Sequence, residues 1–147
     1  MPLQADSNPL APAISPSQAA DLQERANAVA HHAYAPYSHF RVGAAILLTD
    51  GNIVTGCNVE NASYRLTTCA EQTAIASAVA KFGPSIRIQA VVVANLNATA
   101  CQPCGACRQT IAEFAAATAV IVFPGQNAEP TTTTLADLLP GAFALSS

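Results

Sequence analysis

Four residues in this chain have types and spacings that can do chemistry together: Cys69, Glu71, Cys104 and Cys107. Cys104-Gly105-Ala106-Cys107 is a C-x-x-C pair that follows Pro103, and Cys69-Ala70-Glu71 stands upstream. Each string opens a stretch with helical periodicity, and a helix N-terminus favours the thiolate that binds a metal. If the two helix starts face each other, three soft ligands converge. Three protein ligands leave a position open for water, the usual arrangement of a catalytic zinc, whereas structural zinc is closed by four. A carboxylate two residues past a ligand can reach that water as a base without binding the metal. Three rival readings stand beside this one. Thr68 and Glu71 have the spacing of a helix capping box. Cys104 and Cys107 alone could be a redox dithiol, which leaves Cys69-Ala70-Glu71 unexplained. Cys101 could complete a structural four-cysteine site, which has no use for Glu71 and must reach past Pro103.

The elements that would position these residues fit a single domain. The 147 residues are 51% hydrophobic and 10% charged, enough apolar content for a sizeable core. Six Lys and Arg against nine Asp and Glu leave a net charge of −3 without any basic run, which argues against a nucleic acid polymer as partner. The apolar stretches at 88–94 and 110–123 are shorter than the ~20 residues of a membrane span or are broken by polar residues, so no membrane partner is expected. There is no secretory pattern at the N-terminus, and five cysteines, three of them crowded at 101, 104 and 107, suit a reducing compartment better than a disulfide framework. The expected location is the cytoplasm, with Cys57 a plain buried thiol.

Residues 1–14, rich in Pro and Ala, read as a flexible leader, and 15–147 as one catalytic domain. Ser15, Pro16 and Gln18 form a helix-start signature ahead of the stripe Leu22, Ala26, Val29 and Ala30. Asp50-Gly51 between two aliphatic runs predicts a β-hairpin. "CAEQTAIASAVAKF" predicts a helix ending before Gly83-Pro84, "IRIQAVVVANL" a strand buried on both faces, "PCGACRQTIAEFAAA" a helix, and "AVIVFP" a short strand. The Thr131–Thr134 run reads as an exposed loop before a short helix capped by Thr134. This order of helix, hairpin, helix, strand, helix, strand, short helix predicts a mixed sheet sandwiched between helices.

A metal ligand followed by x-Glu and then by Pro-Cys-x-x-Cys is the signature of zinc deaminases. With the strings "APYSHFRVGAA", "GCNVENASY", "CAEQTAI", "PCGACRQ" and "TLADLLPGAF", spanning Ala35 to Phe143, the chain resembles the small cytidine deaminases, in particular their three-cysteine, homotetrameric branch. The resemblance implies a three-layer α/β/α sandwich with a five-stranded mixed sheet. It implies one Zn2+ per subunit on Cys69, Cys104 and Cys107, with Glu71 moving protons. It also implies hydrolytic deamination of cytidine and deoxycytidine in pyrimidine salvage. Asn58 and Glu60 match the family's ribose-binding pair, and two residues apart on a strand they share a face. Phe40 matches an aromatic beside the pyrimidine, while the backbone near Ala70 and the carbonyl of Thr68 or Pro103 would hold the base edge. Tyr64 and Phe143 would reach a neighbouring subunit's site in a tetramer with shared active sites. His31, His32 and His39 have no partner at ligand spacing and read as helix-end and loop residues.

Two positions depart from the family pattern. Gln72 stands where the three-cysteine branch usually carries Arg, and Arg41 stands where some relatives have Pro. Three thiolates on Zn2+ carry a formal −1, which Gln72 can answer with amide hydrogen bonds to sulfur but without charge. Arg108 and Arg65 are the cations that could make up the difference. Two other functions remain to be weighed: a deaminase of aminoglycosyl nucleosides, against which Asn58, Glu60 and "LLPGAF" argue, and a structural-zinc module. The absent basic groove disfavours single-strand editing.

Overall fold

The computed structural model describes residues 14–146. The elements run α1 (Pro16–Ala30), β1 (Val42–Leu48), β2 (Ile53–Cys57), α2 (Ala70–Phe82), β3 (Ile88–Asn95), α3 (Gly105–Phe114), β4 (Ala115–Pro124), β5 (Pro130–Thr134) and α4 (Leu135–Leu138). Of the leader expected over 1–14, residues 1–13 lie outside the described residues, as does Ser147. Ile14 is described, and it is buried in the apolar layer beneath α1.

Alternating side chains divide the core between two faces of one sheet. Its order is β2-β1-β3-β4-β5, antiparallel except for the β3–β4 pair. Ala45 and Leu47 of β1 and Ala90 and Val92 of β3 face α1, where Leu22 and Ala26 meet them. Val42, Ala44 and Ile46 of β1 and Val91 and Val93 of β3 face the opposite layer, with Ala74 and Ile75 of α2 and Ile111 of α3. The result is the expected three-layer α/β/α sandwich with a five-stranded mixed sheet. β3 occupies the centre and is buried along nearly all its length, as its continuous apolar run predicts.

The elements largely follow the local signals. At α1 the Gln18 amide donates to Ser15 Oγ at 3.2 Å and the Ser15 amide donates to Gln18 Oε1 at 2.9 Å, a complete capping box. α2 ends at Gly83, whose φ of 89° suits the residue that terminates a helix. Thr134 caps α4 by accepting from the Asp137 amide at 3.2 Å.

Three local expectations are corrected. The Thr131–Thr134 run is an edge strand rather than a loop, pairing antiparallel with β4 from Val120↔Thr134 to Pro124↔Pro130. β-branched Thr suits a half-exposed edge, and Pro130 stands at the strand start, where its missing N–H does least harm. Ala115–Ala117 begin β4 instead of extending α3, because Ala115 is extended (φ −68°, ψ 133°) and pairs with Ile88. Alanine's helix propensity is overridden by sheet pairing here. Thr68 is not the cap of α2: its backbone is paired with Val59, and Cys69 is the N-cap without any side-chain cap bond.

One glycine sets the height of α2 above the sheet. A Cβ at Gly56 would collide with the Ala74 amide nitrogen and come within 2.8 Å of the Ala70 carbonyl oxygen. Glycine alone lets α2 rest directly on β2.

Candidate active site

Both thiol-bearing helices present their N-termini to the same place. Cys69 is the N-cap of α2, Cys104 is the N-cap of α3, and Cys107 lies in the first turn of α3. The three Sγ atoms lie within 4.8 Å of one another, and Cys69 Sγ is 3.9 Å from Cys104 Sγ. An ion bound tetrahedrally at about 2.3 Å holds pairs of sulfurs about 3.8 Å apart. The donor set therefore fits zinc in both chemistry and span. Cys104 is exposed, Cys69 half-buried and Cys107 fully buried.

Cys101 is not part of this cluster. Its amide donates to the Pro124 carbonyl at 2.8 Å, which fixes it at the end of β4, and its half-buried side chain lines the cavity. Burial first, and then the charges of Glu71 and the neighbouring thiols, push its own thiol up to about 11. A four-cysteine structural site is thus not assembled.

Glu71 lies in the first turn of α2 and is 4% exposed. Cys107 Sγ donates to its Oε2 at 3.4 Å. Burial raises the Glu71 carboxyl above the usual range, so the group favours holding a proton. The thiols divide their protons unevenly: the close approach of Cys107 pulls Cys69 down to about 7, and the same contact pushes Cys107 up. Cys69 is thus the thiol poised to ionise first, at the helix start where a thiolate is favoured.

A cavity of about 190 Å³ opens onto this cluster and is lined also by Phe40, Asn58, Thr67, Ala70 and Gln102. Asn58 continues the parity of Val54 and Gly56, which brings it under α2. Its Oδ1 accepts from the Val42 amide at 2.9 Å and its Nδ2 donates to the Phe40 carbonyl at 2.8 Å, leaving one lone pair and one N–H. Phe40 is further held by Ser38 Oγ, which accepts from its amide. Asn97, unmarked in the sequence reading, straps the residues on either side: its Oδ1 accepts from the Arg41 amide and its Nδ2 donates to the His39 carbonyl. His39 itself adopts φ 57°, the left-handed region.

The remaining expected residues are placed as follows. Glu60 lines an adjoining concavity with Tyr37, Ser38 and Tyr64, joined to the first at Thr67. Its Oε1 accepts from the Tyr37 and Ser38 amides at 3.0 and 3.1 Å, and hydrogen bonding from Ser38 lowers its carboxyl. Tyr64 and Phe143 are exposed and do not line the cavity of their own chain. The Thr68 and Pro103 carbonyls each already accept one hydrogen bond, from the Val59 amide and from Arg108. Gln72 is half-buried, does not line the cavity, and makes no side-chain hydrogen bond among the described residues, so the expected donation to sulfur is not made. Arg108 is engaged with oxygen acceptors rather than sulfur. Arg65 is exposed in a short 3-10 turn. Sequence reasoning missed Thr67, Gln102 and Asn97; Thr67 and Gln102 stand next to the recognised strings, whereas nothing local marks Asn97.

Comparison with known proteins agrees with this geometry. A family model of the cytidine and deoxycytidylate deaminase zinc-binding region matches residues 16–123. A cytidine deaminase of Sporosarcina psychrophila is 46% identical over 112 residues, which span 76% of this chain and 81% of the relative. One of Mycobacterium tuberculosis is 43% identical over 84% of this chain and 88% of its own. The crystal structure of cytidine deaminase from Burkholderia pseudomallei superposes with a TM-score of 0.76 at 44% identity, over 84% of this chain and 98% of that one. A family model spanning most of the chain and relatives at 43–46% identity agree with the thiol cluster: the chain belongs to the zinc-binding cytidine and deoxycytidylate deaminase family.

Proposed function

We propose that this protein hydrolytically deaminates cytidine and deoxycytidine to uridine and deoxyuridine, with ammonia as the second product, as a step of pyrimidine salvage. The observation that carries the reading is the buried Glu71 carboxylate, 3.4 Å from a sulfur of the three-thiol cluster inside one small cavity. The cofactor is one zinc per chain, for which Cys69, Cys104 and Cys107 supply the ligands. When bound, zinc supplies the Lewis acidity that makes water nucleophilic near neutral pH.

The chain's own residues do the rest. Glu71 takes a proton from the attacking water and gives it to pyrimidine N3, which makes C4 electrophilic. As the C4–O bond forms, electron density moves onto the ring and the 4-amino group becomes the leaving group. Glu71 then carries the second water proton to that nitrogen, the C4–N bond breaks, and ammonia departs. A carboxyl raised by burial is suited to work as base and then as acid near neutral pH. Phe40 bounds the ring, and the backbone at Ala70 with the free lone pairs of the Thr68 and Pro103 carbonyls holds the base edge. The spare lone pair and N–H of Asn58 suit a ribose hydroxyl, with Glu60 beyond Thr67 as its partner.

Exposed Tyr64 and Phe143, at 81% and 70%, support a homotetramer in which each completes a neighbour's cavity. No described helix is long and apolar enough to cross a membrane, and the five cysteines are free thiols, which supports a cytoplasmic location. The test is direct. Purified protein is mixed with cytidine while ultraviolet absorbance and ammonia are followed, and zinc and molar mass are measured on the same sample. Absence of absorbance loss from a zinc-loaded sample refutes the activity, and a monomeric mass refutes the shared sites.

A further inference from the structure

Arg108 follows the metal-binding thiol Cys107 and directs its guanidinium away from sulfur. Nε donates to the Pro103 carbonyl at 2.8 Å, Nη1 to the Leu138 carbonyl at 2.8 Å, and Nη2 to Gln102 Oε1 at 3.0 Å. These acceptors come from two parts of the chain that do not otherwise adjoin in sequence. Gln102 and Pro103 form the turn that delivers Cys104 to the cluster, and Gln102 also lines the cavity. Leu138 ends α4, from which the chain continues to Phe143. The next residue reinforces the second tie, since Gln109 Nε2 donates to the Phe143 carbonyl at 3.0 Å.

A guanidinium presents five donors in a rigid planar fork, so three acceptors held at once fix one another's positions. An ammonium at the same place is a point donor on a flexible stem and cannot span all three. Pro103 is itself fully buried, which limits where the turn can relax once its carbonyl is released. Cys104 is exposed and is the helix N-cap, with Sγ accepting from the Cys107 amide, so its placement depends on that turn.

We propose that Arg108 is a positioning residue that fixes the Gln102–Pro103 turn, and through it Cys104, against the end of α4, thereby setting how tightly the thiol cluster holds its metal. The kinetic part of the test rests on the deaminase reading; the metal part does not. Wild type, Arg108→Met, Arg108→Lys and the control Arg25→Met, which breaks an exposed ion pair with Asp21, are compared. Zinc affinity is read by competition with a chromophoric chelator, the cobalt-substituted proteins by their thiolate charge-transfer absorption, and cytidine turnover by kcat and KM separately.

Outer partners of metal ligands typically contribute about 10–100-fold in metal affinity. Arg108→Met is expected to lose about that much, to shift the cobalt spectrum and to lower kcat more than it raises KM. Arg108→Lys should fall between it and wild type, with Arg25→Met unchanged. Zinc affinity within twofold of wild type together with an unaltered cobalt spectrum in Arg108→Met overturns the proposal. If Arg108→Met does not fold, Arg108→Lys decides: wild-type affinity overturns the proposal, and weakened affinity at an unchanged Tm supports it. Failure of wild type to deaminate cytidine overturns the proposed function, while the chelator and cobalt measurements still judge Arg108.

Discussion

Replacing Glu71 by Gln removes the only carboxylate that lines the thiol cavity among the described residues, and changes its shape hardly at all. The side chain is 4% exposed, so bulk buffer has little access to the position it vacates. Glu60 belongs to the adjoining concavity and is tied to the Tyr37 and Ser38 amides, so it offers no substitute. Each positioned proton transfer is worth about 10²–10⁴ in rate. In the proposed mechanism Glu71 serves at least two such transfers, so the loss in kcat is expected to be at least about 10⁴, or about 5.5 kcal/mol at 1.36 kcal/mol per tenfold. KM should move little, because the amide fills the same space. Stability gives an independent control. Burial raises the Glu71 carboxyl, so its contribution favours the fold at low pH and is lost as pH rises through the folded value. In the zinc-free protein at neutral pH, Glu71→Gln should therefore leave Tm equal to or above that of wild type. The assay is cytidine absorbance loss with zinc measured in the same preparation. A fully zinc-loaded Glu71→Gln protein with kcat within tenfold of wild type refutes the assignment.

Other outcomes follow from the same geometry. Cys101→Ala should still bind one zinc per chain, since its thiol stands outside the cluster; loss of zinc measured by metal analysis restores the four-cysteine site. Apparent zinc affinity should fall as pH falls, and more steeply below about pH 7, where Cys69 regains its proton; chelator competition at several pH values reads the slope. Gly56→Ala forces a Cβ into the α2 backbone and should cost about 1–3 kcal/mol, measured as the denaturation midpoint, with kcat reduced as α2 is displaced. Gln72→Arg adds a cation beside a three-thiolate site and is expected to move the acid limb of the pH–rate profile to lower pH; superimposable limbs dismiss any electrostatic role for position 72.

Much of this was legible because the decisive residues are read locally. Cys69, Cys104 and Cys107 announce themselves by type and spacing, and the helix starts that carry them follow Pro103 and the Thr67-Thr68 pair. The aliphatic runs of β1 and β3, buried at every or nearly every position, marked strands covered on both faces, and their alternation with helices in chain order gave the layers. The misread features each depend on a pairing partner that the local pattern does not name. Thr131–Thr134 became a strand only because β4 offers an open edge, and Ala115 left its helix to pair with Ile88. Thr68 could not cap because its backbone was already committed to Val59. The straps from Asn97 to residues 39 and 41, and from Arg108 to residue 138, join segments that no local pattern connects.

The direct seat of α2 on β2 has a consequence for how the enzyme should fail. The height of the helix that carries Cys69 and Glu71 is set by main chain against main chain at Gly56, with no intervening rotamer to loosen. Conservative trimming of the central strand, such as Val91→Ala, should then lower the midpoint of denaturation while molecules that remain folded work at full speed. Activity lost during heating or in denaturant ought to follow the unfolded fraction point for point, with no inactive but folded population ahead of it. The molecule would behave as a switch with two positions rather than as a machine that wears.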